Sequence, residues 1–184
     1  SSTFKEQVKD LKDNGDVVTE ASEEGTKLTV MGMEQDQPAV PPVTVTRTRL
    51  GRFVDLKQEG EAPSALSPAV QRLFLMVQDP ILPDKAVASG AAWPTELDNP
   101  AVQGKKVSVQ TTYLGTEKVG DAELWKIKQT FTADTGMGEP LSEEATYWLS
   151  PATGELVRKE STVKNVPTQF GVMSWTEVRE RVKS

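Results

Sequence analysis

Short runs of alternating or β-branched residues recur along the chain: Thr26 to Met33, Val43 to Leu50, Lys106 to Leu114, Glu123 to Phe131, Glu143 to Leu149 and Glu155 to Val163. Each has the length of a strand. Turn signals punctuate the sequence at Asn14-Gly15, Glu24-Gly25, Gln37-Pro38, Pro41-Pro42, Leu50-Gly51, Glu59-Gly60, Val119-Gly120-Asp121, Asp134-Thr135-Gly136 and Thr153-Gly154. Val43 and Val45 oppose Thr44, Thr46 and Thr48, while Val107, Val109 and Tyr113 oppose Ser108, Gln110 and Thr112. This period of two predicts sheets with one buried and one wet face. Val107 to Phe131, reversing at Val119-Gly120-Asp121, and Ala145 to Val163, reversing at Ser150 to Gly154, are expected to be antiparallel hairpins.

One segment follows a helical period instead: Leu66, Ala69, Val70, Leu73, Phe74 and Val77. Ser67 can cap its first free N–H groups, Pro68 suits the first helical position, and Pro80 forbids continuation, so a helix is predicted over about 67–79. Phe4, Val8 and Leu11 also fit a helical face, with Thr3 and Glu6 spaced as a capping box, and residues 3–12 are expected to be helical although Asn14-Gly15 equally suits a hairpin. The closing stretch 170–182 is expected to be a long strand, despite a possible capping box at Ser174 and Glu177. Gln35 to Pro42 reads as a Pro-rich connector. Pro80 to Gln103, with its prolines and Trp93, reads as a long irregular loop of the kind that often carries function. The fold class is mainly β (α+β): one domain over residues 1–184, a curved antiparallel sheet or half-barrel with one apolar helix packed on it.

Composition narrows the chemistry. The chain has no histidine and no cysteine, which removes imidazole acid–base catalysis, thiol nucleophiles, disulfides and nearly all zinc and iron sites. With 21 basic and 27 acidic side chains the net charge is −6, and no basic stripe suggests nucleic acid. Arg47, Arg49 and Arg52, interleaved with threonines, read as a solvated sheet face. The longest apolar run, Leu73 to Val77, falls far short of the roughly 20 residues of a membrane-spanning helix. Ser1 reads as a processed or trimmed end, and the lack of cysteine fits a periplasmic or extracellular setting from which a signal peptide has been removed.

Motifs add little catalytic potential. Asp134-Thr135-Gly136 matches the aspartic-protease tripeptide, but Met137 follows it, no second copy exists, and a turn is the simpler reading. Ser161-Thr162-Val163-Lys164 matches the Ser-Thr-x-Lys signature of penicillin-binding proteins without its partner motifs. Asp13 to Asp16 lacks the alternating ligands of a calcium loop. Glu23-Glu24 and Glu143-Glu144 point to opposite faces of their strands. No catalytic residue, metal or cofactor is expected. An enzyme using carboxylates alone is the minor alternative.

The order of elements resembles the bacterial lipoprotein-carrier half-barrel, the Lol-type fold, together with uncharacterised secreted domains similar to it. Thr146-Tyr147-Trp148-Leu149-Ser150-Pro151-Ala152-Thr153-Gly154-Glu155-Leu156-Val157-Arg158 resembles the hairpin common there, with Ser150 where an aspartate is usual. Ile81 to Trp93 resembles a Pro…Gly-x-x-Trp segment of the uncharacterised relatives. The resemblance implies a fold and a class of partner, a lipid or lipoprotein acyl chain, and no catalytic residue is carried over from it.

The leading expectation is a non-enzymatic envelope or secreted protein that shelters an apolar ligand between sheet and helix, lined by Phe74, Met76, Trp93, Trp125 and Trp148. Methionine suits adaptable lipid contacts, and Leu75 and Met76 make the helix apolar beyond one stripe. The rival is a structural or interaction module whose cavity is filled by its own side chains. It would self-assemble as a homo-oligomer or bind a protein through a sheet edge, or through an N-terminal arm such as Ser1 to Leu11.

Overall fold

The computed structural model describes residues 3–24, 27–30, 33–36, 41–58 and 66–181. Of the turn residues named above, Gly25, Gln37, Pro38, Glu59 and Gly60 lie outside that range, as do residues 37–40 of the Pro-rich connector. The protein is mainly β, with curved, unclosed antiparallel sheets and one short helix. The chain divides into two compact units, residues 1–64 and 65–184.

In the first unit β1 (Thr3–Leu11), β2 (Val17–Glu24), β5 (Val43–Arg47) and β6 (Phe53–Gln58) form one sheet in the order β1-β2-β5-β6. β3 (Lys27–Val30) and β4 (Met33–Asp36) form a separate hairpin. Residues 3–12 are therefore extended, against the helical expectation. The turn decides this: Gly15, at φ 85°, donates its N–H to the Lys12 carbonyl, and Lys12 donates to the Asp16 carbonyl, closing a tight reversal. Val8 and Leu11 remain exposed, so these two positions of the suggested helical face bury against nothing, and an isolated helix of that length is marginal. The run Thr26 to Met33 is likewise two strands rather than one, since Val30 pairs with Met33.

The strand from Val43 stops at Arg47, where the Thr48 hydroxyl accepts N–H groups from Leu50 and Arg52. Its alternation is imperfect, because Val45, Thr46 and Arg47 are all buried. Arg47 thus differs from the solvated reading given to the three arginines, whereas Arg49 and Arg52 are exposed.

The second unit holds α1 (Pro68–Val77) and a six-stranded meander in the order β12-β11-β10-β9-β8-β7. These strands are β7 (Ala92–Asp98), β8 (Lys106–Val119), β9 (Ala122–Ala133), β10 (Leu141–Leu149), β11 (Leu156–Thr168) and β12 (Gly171–Glu180). The helix starts as its sequence predicts: the Ser67 hydroxyl accepts the N–H of Val70 at 3.3 Å, and Pro68 opens the first turn. The β8–β9 hairpin reverses through Gly120 and Asp121, since Val119 pairs with Ala122. The β10–β11 hairpin reverses at Ser150 to Gly154, and β12 is the expected long closing strand.

The segment Pro80 to Gln103 is not wholly irregular, because β7 lies inside it. Pro94 has no N–H to give a ladder, and an edge strand is where a sheet tolerates that loss. Among the described residues no helix is long and apolar enough to cross a membrane.

Candidate functional site

Strand alternation sends the odd-numbered residues along β9, β10 and the first part of β11 toward the helix. Val70, Leu73 and Val77 of α1 pack there with Ile81, Val107, Val109, Phe131, Leu141, Val163 and Val166 in one dry cluster. A second cluster, built on Ile127, Ala145, Tyr147 and Leu149, lies on the same face. Between the two runs a lateral row that crosses the sheet in register: Trp93, Thr111, Gln129, Ala145, Ser161 and Glu177. Most of this row is polar, and Thr111, Gln129 and Ser161 are buried.

Gln129 accounts for much of that polarity. Its Oε1 accepts the N–H of Ile81 at 2.9 Å and the Thr111 hydroxyl at 3.1 Å. Its Nε2 donates to the carbonyls of Val77 at 2.9 Å and Asp79 at 3.2 Å. A sheet side chain thereby satisfies the carbonyls that the end of a helix leaves open. Trp93 donates its indole N–H to the Ile81 carbonyl at 2.9 Å, fastening the same segment from β7.

Beside this row sits a buried ion pair. Lys159 Nζ lies 2.9 Å from Glu143 Oε1, with only 4% and 3% of the two side chains exposed. Lys159 is also 4.0 Å from Glu177, which Arg179 binds in turn, and its ammonium lies 5.6 Å from the centre of the Tyr147 ring. Burial, with the Glu143 charge second, pushes the Tyr147 phenol well above its ordinary value. The Ser161 hydroxyl is buried and meets no hydrogen-bond partner. Lys159, Glu143, Tyr147 and Ser161 are buried, while Glu177 and Arg179 are partly exposed, and the buried groups hold neighbouring strands together.

The five residues expected to line a ligand cavity do not converge. Phe74 and Met76 pack on the first cluster, and Phe74 makes an edge contact with Phe131 at 6.4 Å. Trp125 packs on the second cluster, while Trp93 is engaged with Ile81. Trp148 points to the opposite face of the sheet. There its indole N–H donates to Glu117 Oε1 at 3.1 Å, and its ring lies between Lys126 at 5.2 Å and Arg158 at 5.6 Å. The Lys126 ammonium and the Trp148 N–H together hold the Glu117 carboxyl below its ordinary value.

The motif residues are equally dispersed. Ser161 faces the helix while Lys164 is exposed on the other side, and Glu143 is buried while Glu144 is not. Asp134 Oδ1 accepts the Gly136 N–H at 2.8 Å within the β9–β10 turn. Among the described residues no acidic cluster is arranged to hold a metal ion. The opposite face carries a groove of about 450 Å³ whose lining includes Thr130, Thr132, Ser142, Glu144, Thr162 and Lys164.

The strand β12 was expected, but its open apolar edge was not singled out in the sequence. It is an edge strand, paired on one side by β11 alone. Val172, Met173 and Trp175 are 65%, 48% and 36% exposed, and Phe170 and Val178 flank them in the open. Trp175 packs at 5.9 Å on Phe74, so the apolar surface of the strand runs into that of the helix. The charges of β12 lie in its last part and are paired inward, Glu177 with Arg179 and Glu180 with Arg158.

The opposite edge, β7, is protected by Pro94, Glu96 and Asp98. From Gly171 to Thr176 the β12 edge has no proline and no charge. The strand phase of Met173 and Trp175 was the available signal for this surface. No protein-family model matches the chain, and neither a curated protein nor a solved structure matches it.

Proposed function

We propose that this is a non-enzymatic interaction module that works by strand addition at β12, taking an extended partner segment onto the open edge Gly171–Thr176. The observation that carries this reading is the asymmetry of the six-stranded sheet. One edge is defended by proline and acidic residues, while the other carries no charge from Gly171 to Thr176 and exposes Val172, Met173 and Trp175. An open edge offers main-chain hydrogen bonds for affinity, and alternate side chains give selectivity.

Selection of displayed linear peptides against the full chain tests it. A selected peptide should shift the amide resonances of Gly171–Thr176, and Val172→Lys should abolish those shifts. Peptides that map to another surface, or the absence of any binder, would refute the reading.

A second reading, shelter for a lipid or acyl chain by a periplasmic or secreted protein, is favoured by the Phe74–Trp175 contact, which leaves an apolar shelf at the margin of the helix. The absence of cysteine agrees with that setting. Its lining would be Phe74, Met173 and Trp175, since Val70, Leu73 and Val77 already fill the space beneath the helix. Phe74→Asp should then abolish retention of a long-chain fatty acid, and unchanged retention would refute this second reading.

A further inference from the structure

Resting on the strand-addition reading, we infer that the partner at the β12 edge is a second copy of this chain, joined antiparallel about a two-fold axis through Ser174. A two-fold perpendicular to the sheet keeps each face in common, so a residue on one strand meets a partner residue of the same parity. With the axis at Ser174, Met173 falls opposite the partner's Trp175, and Trp175 opposite the partner's Met173. Both pairs lie on the helix-facing side and bring thioether against indole. On the other side Val172 falls opposite the partner's Thr176, a pairing of β-branched residues suited to a ladder.

Charge favours this occupant and this register. Glu177 falls opposite the partner's Gly171 and keeps its own Arg179, so no like charges face each other. An axis at Glu177 would set two carboxylates against each other. The uncharged stretch Gly171–Thr176 can therefore pair with itself without like-charge conflict, and joining two copies removes the one undefended edge of each six-stranded sheet by making them continuous.

The chain's lack of cysteine makes the register directly testable. Directly opposed residues in an antiparallel pair have Cα atoms about 4.5–5.5 Å apart, within the span of a disulfide. Ser174→Cys, placed on the axis, should be captured as a covalent dimer by copper-phenanthroline oxidation. Thr176→Cys, displaced from its own copy by four residues or about 13 Å, should not.

Sedimentation of the unmodified chain should show a concentration-dependent dimer, and Val172→Lys should weaken it about tenfold or more while leaving the circular dichroism unchanged, and the melting midpoint unchanged at concentrations where both proteins are monomeric. Equal cross-linking at both positions would overturn the register. A chain that stays monomeric at high concentration yet binds selected peptides at β12 overturns the second copy as partner and leaves strand addition standing. A monomer that binds none overturns both.

Discussion

Gln129 and Ile81 are joined across forty-eight positions of sequence by a buried hydrogen bond of 2.9 Å, with the Ile81 N–H donating to the side-chain oxygen. Because the same amide donates to Val77 and Asp79, one side chain fixes both the end of α1 and the chain that leaves it. Gln129→Leu keeps the approximate volume but takes away the acceptor of the Ile81 N–H and of the Thr111 hydroxyl, and leaves the Val77 carbonyl with only the Tyr147 hydroxyl at 3.4 Å. The expected cost is about 3 kcal/mol, since each buried group left unsatisfied costs about 1–3 kcal/mol. Thr111→Val removes one bond and leaves Ile81 held, so it should cost about 1 kcal/mol. Urea denaturation of the two variants checks the ordering.

The Lys159–Glu143 pair is buried on both sides, so breaking it and replacing it should have different consequences. Lys159→Met strands the Glu143 carboxylate among apolar neighbours and should destabilise the fold by about 3–5 kcal/mol. Lys159→Met combined with Glu143→Leu removes both charges and should recover most of that loss. Glu177 does not upset the comparison, because Arg179 remains its partner. A double-mutant cycle in urea measures the recovery, and a double variant as unstable as the single one would show that packing, not the stranded charge, sets the cost.

Gly115 closes a bulge in β8, where the pairing with β9 skips Leu114 and resumes at Gly115 itself. Its φ is 107°, and a Cβ there would lie 2.8 Å from Ser89 Oγ, the hydroxyl that donates to the Leu114 carbonyl. Gly115→Ala therefore combines backbone strain with a steric conflict and should cost about 1–3 kcal/mol. Gly115→Ala with Ser89→Gly relieves the conflict but not the strain, and should recover only part of the loss in a thermal melt.

The helix and the hairpins were legible because their signals are local. Ser67, Pro68 and the 3.6 period specify α1, and Gly120 and Gly154 mark the reversals at φ 62° and 72°. Residues 3–12 misled because Phe4, Val8 and Leu11 fit a helical face, whereas the outcome depended on pairing with Val17–Glu24. β7 was hidden by its proline, which disfavours a strand except at an edge, and no local pattern says which strand is an edge.

The candidate site was less legible for the same reason. Trp93, Trp125 and Trp148 were grouped by residue type, while the register sends Trp148 to the other face and engages Trp93 with a backbone carbonyl. Gln129 and Ser161 reach the middle of one row only through long-range pairing. The exposure of Trp175 depends on β12 being last in the sheet.

Acid should loosen the outer face at Trp148. Glu117 accepts hydrogen bonds from Lys126 and from the Trp148 indole, and both favour its ionised form, Lys126 more strongly. A carboxyl whose folded pKa lies below its ordinary 4.5 binds fewer protons in the folded than in the unfolded state. Its contribution to stability is therefore fully present above that value and is lost as pH falls through the lower folded pKa. Glu117→Gln removes the titration while retaining an acceptor for the Trp148 N–H. The variant should be less stable than the parent at about pH 7 and should lose less on moving to about pH 3. Melting midpoints at the two pH values test the sign, because other carboxylates such as Glu155, also lowered by its ion pair, titrate alike in both proteins and cancel in the difference. A parent and variant that decline in parallel would show that Glu117 is not linked to folding.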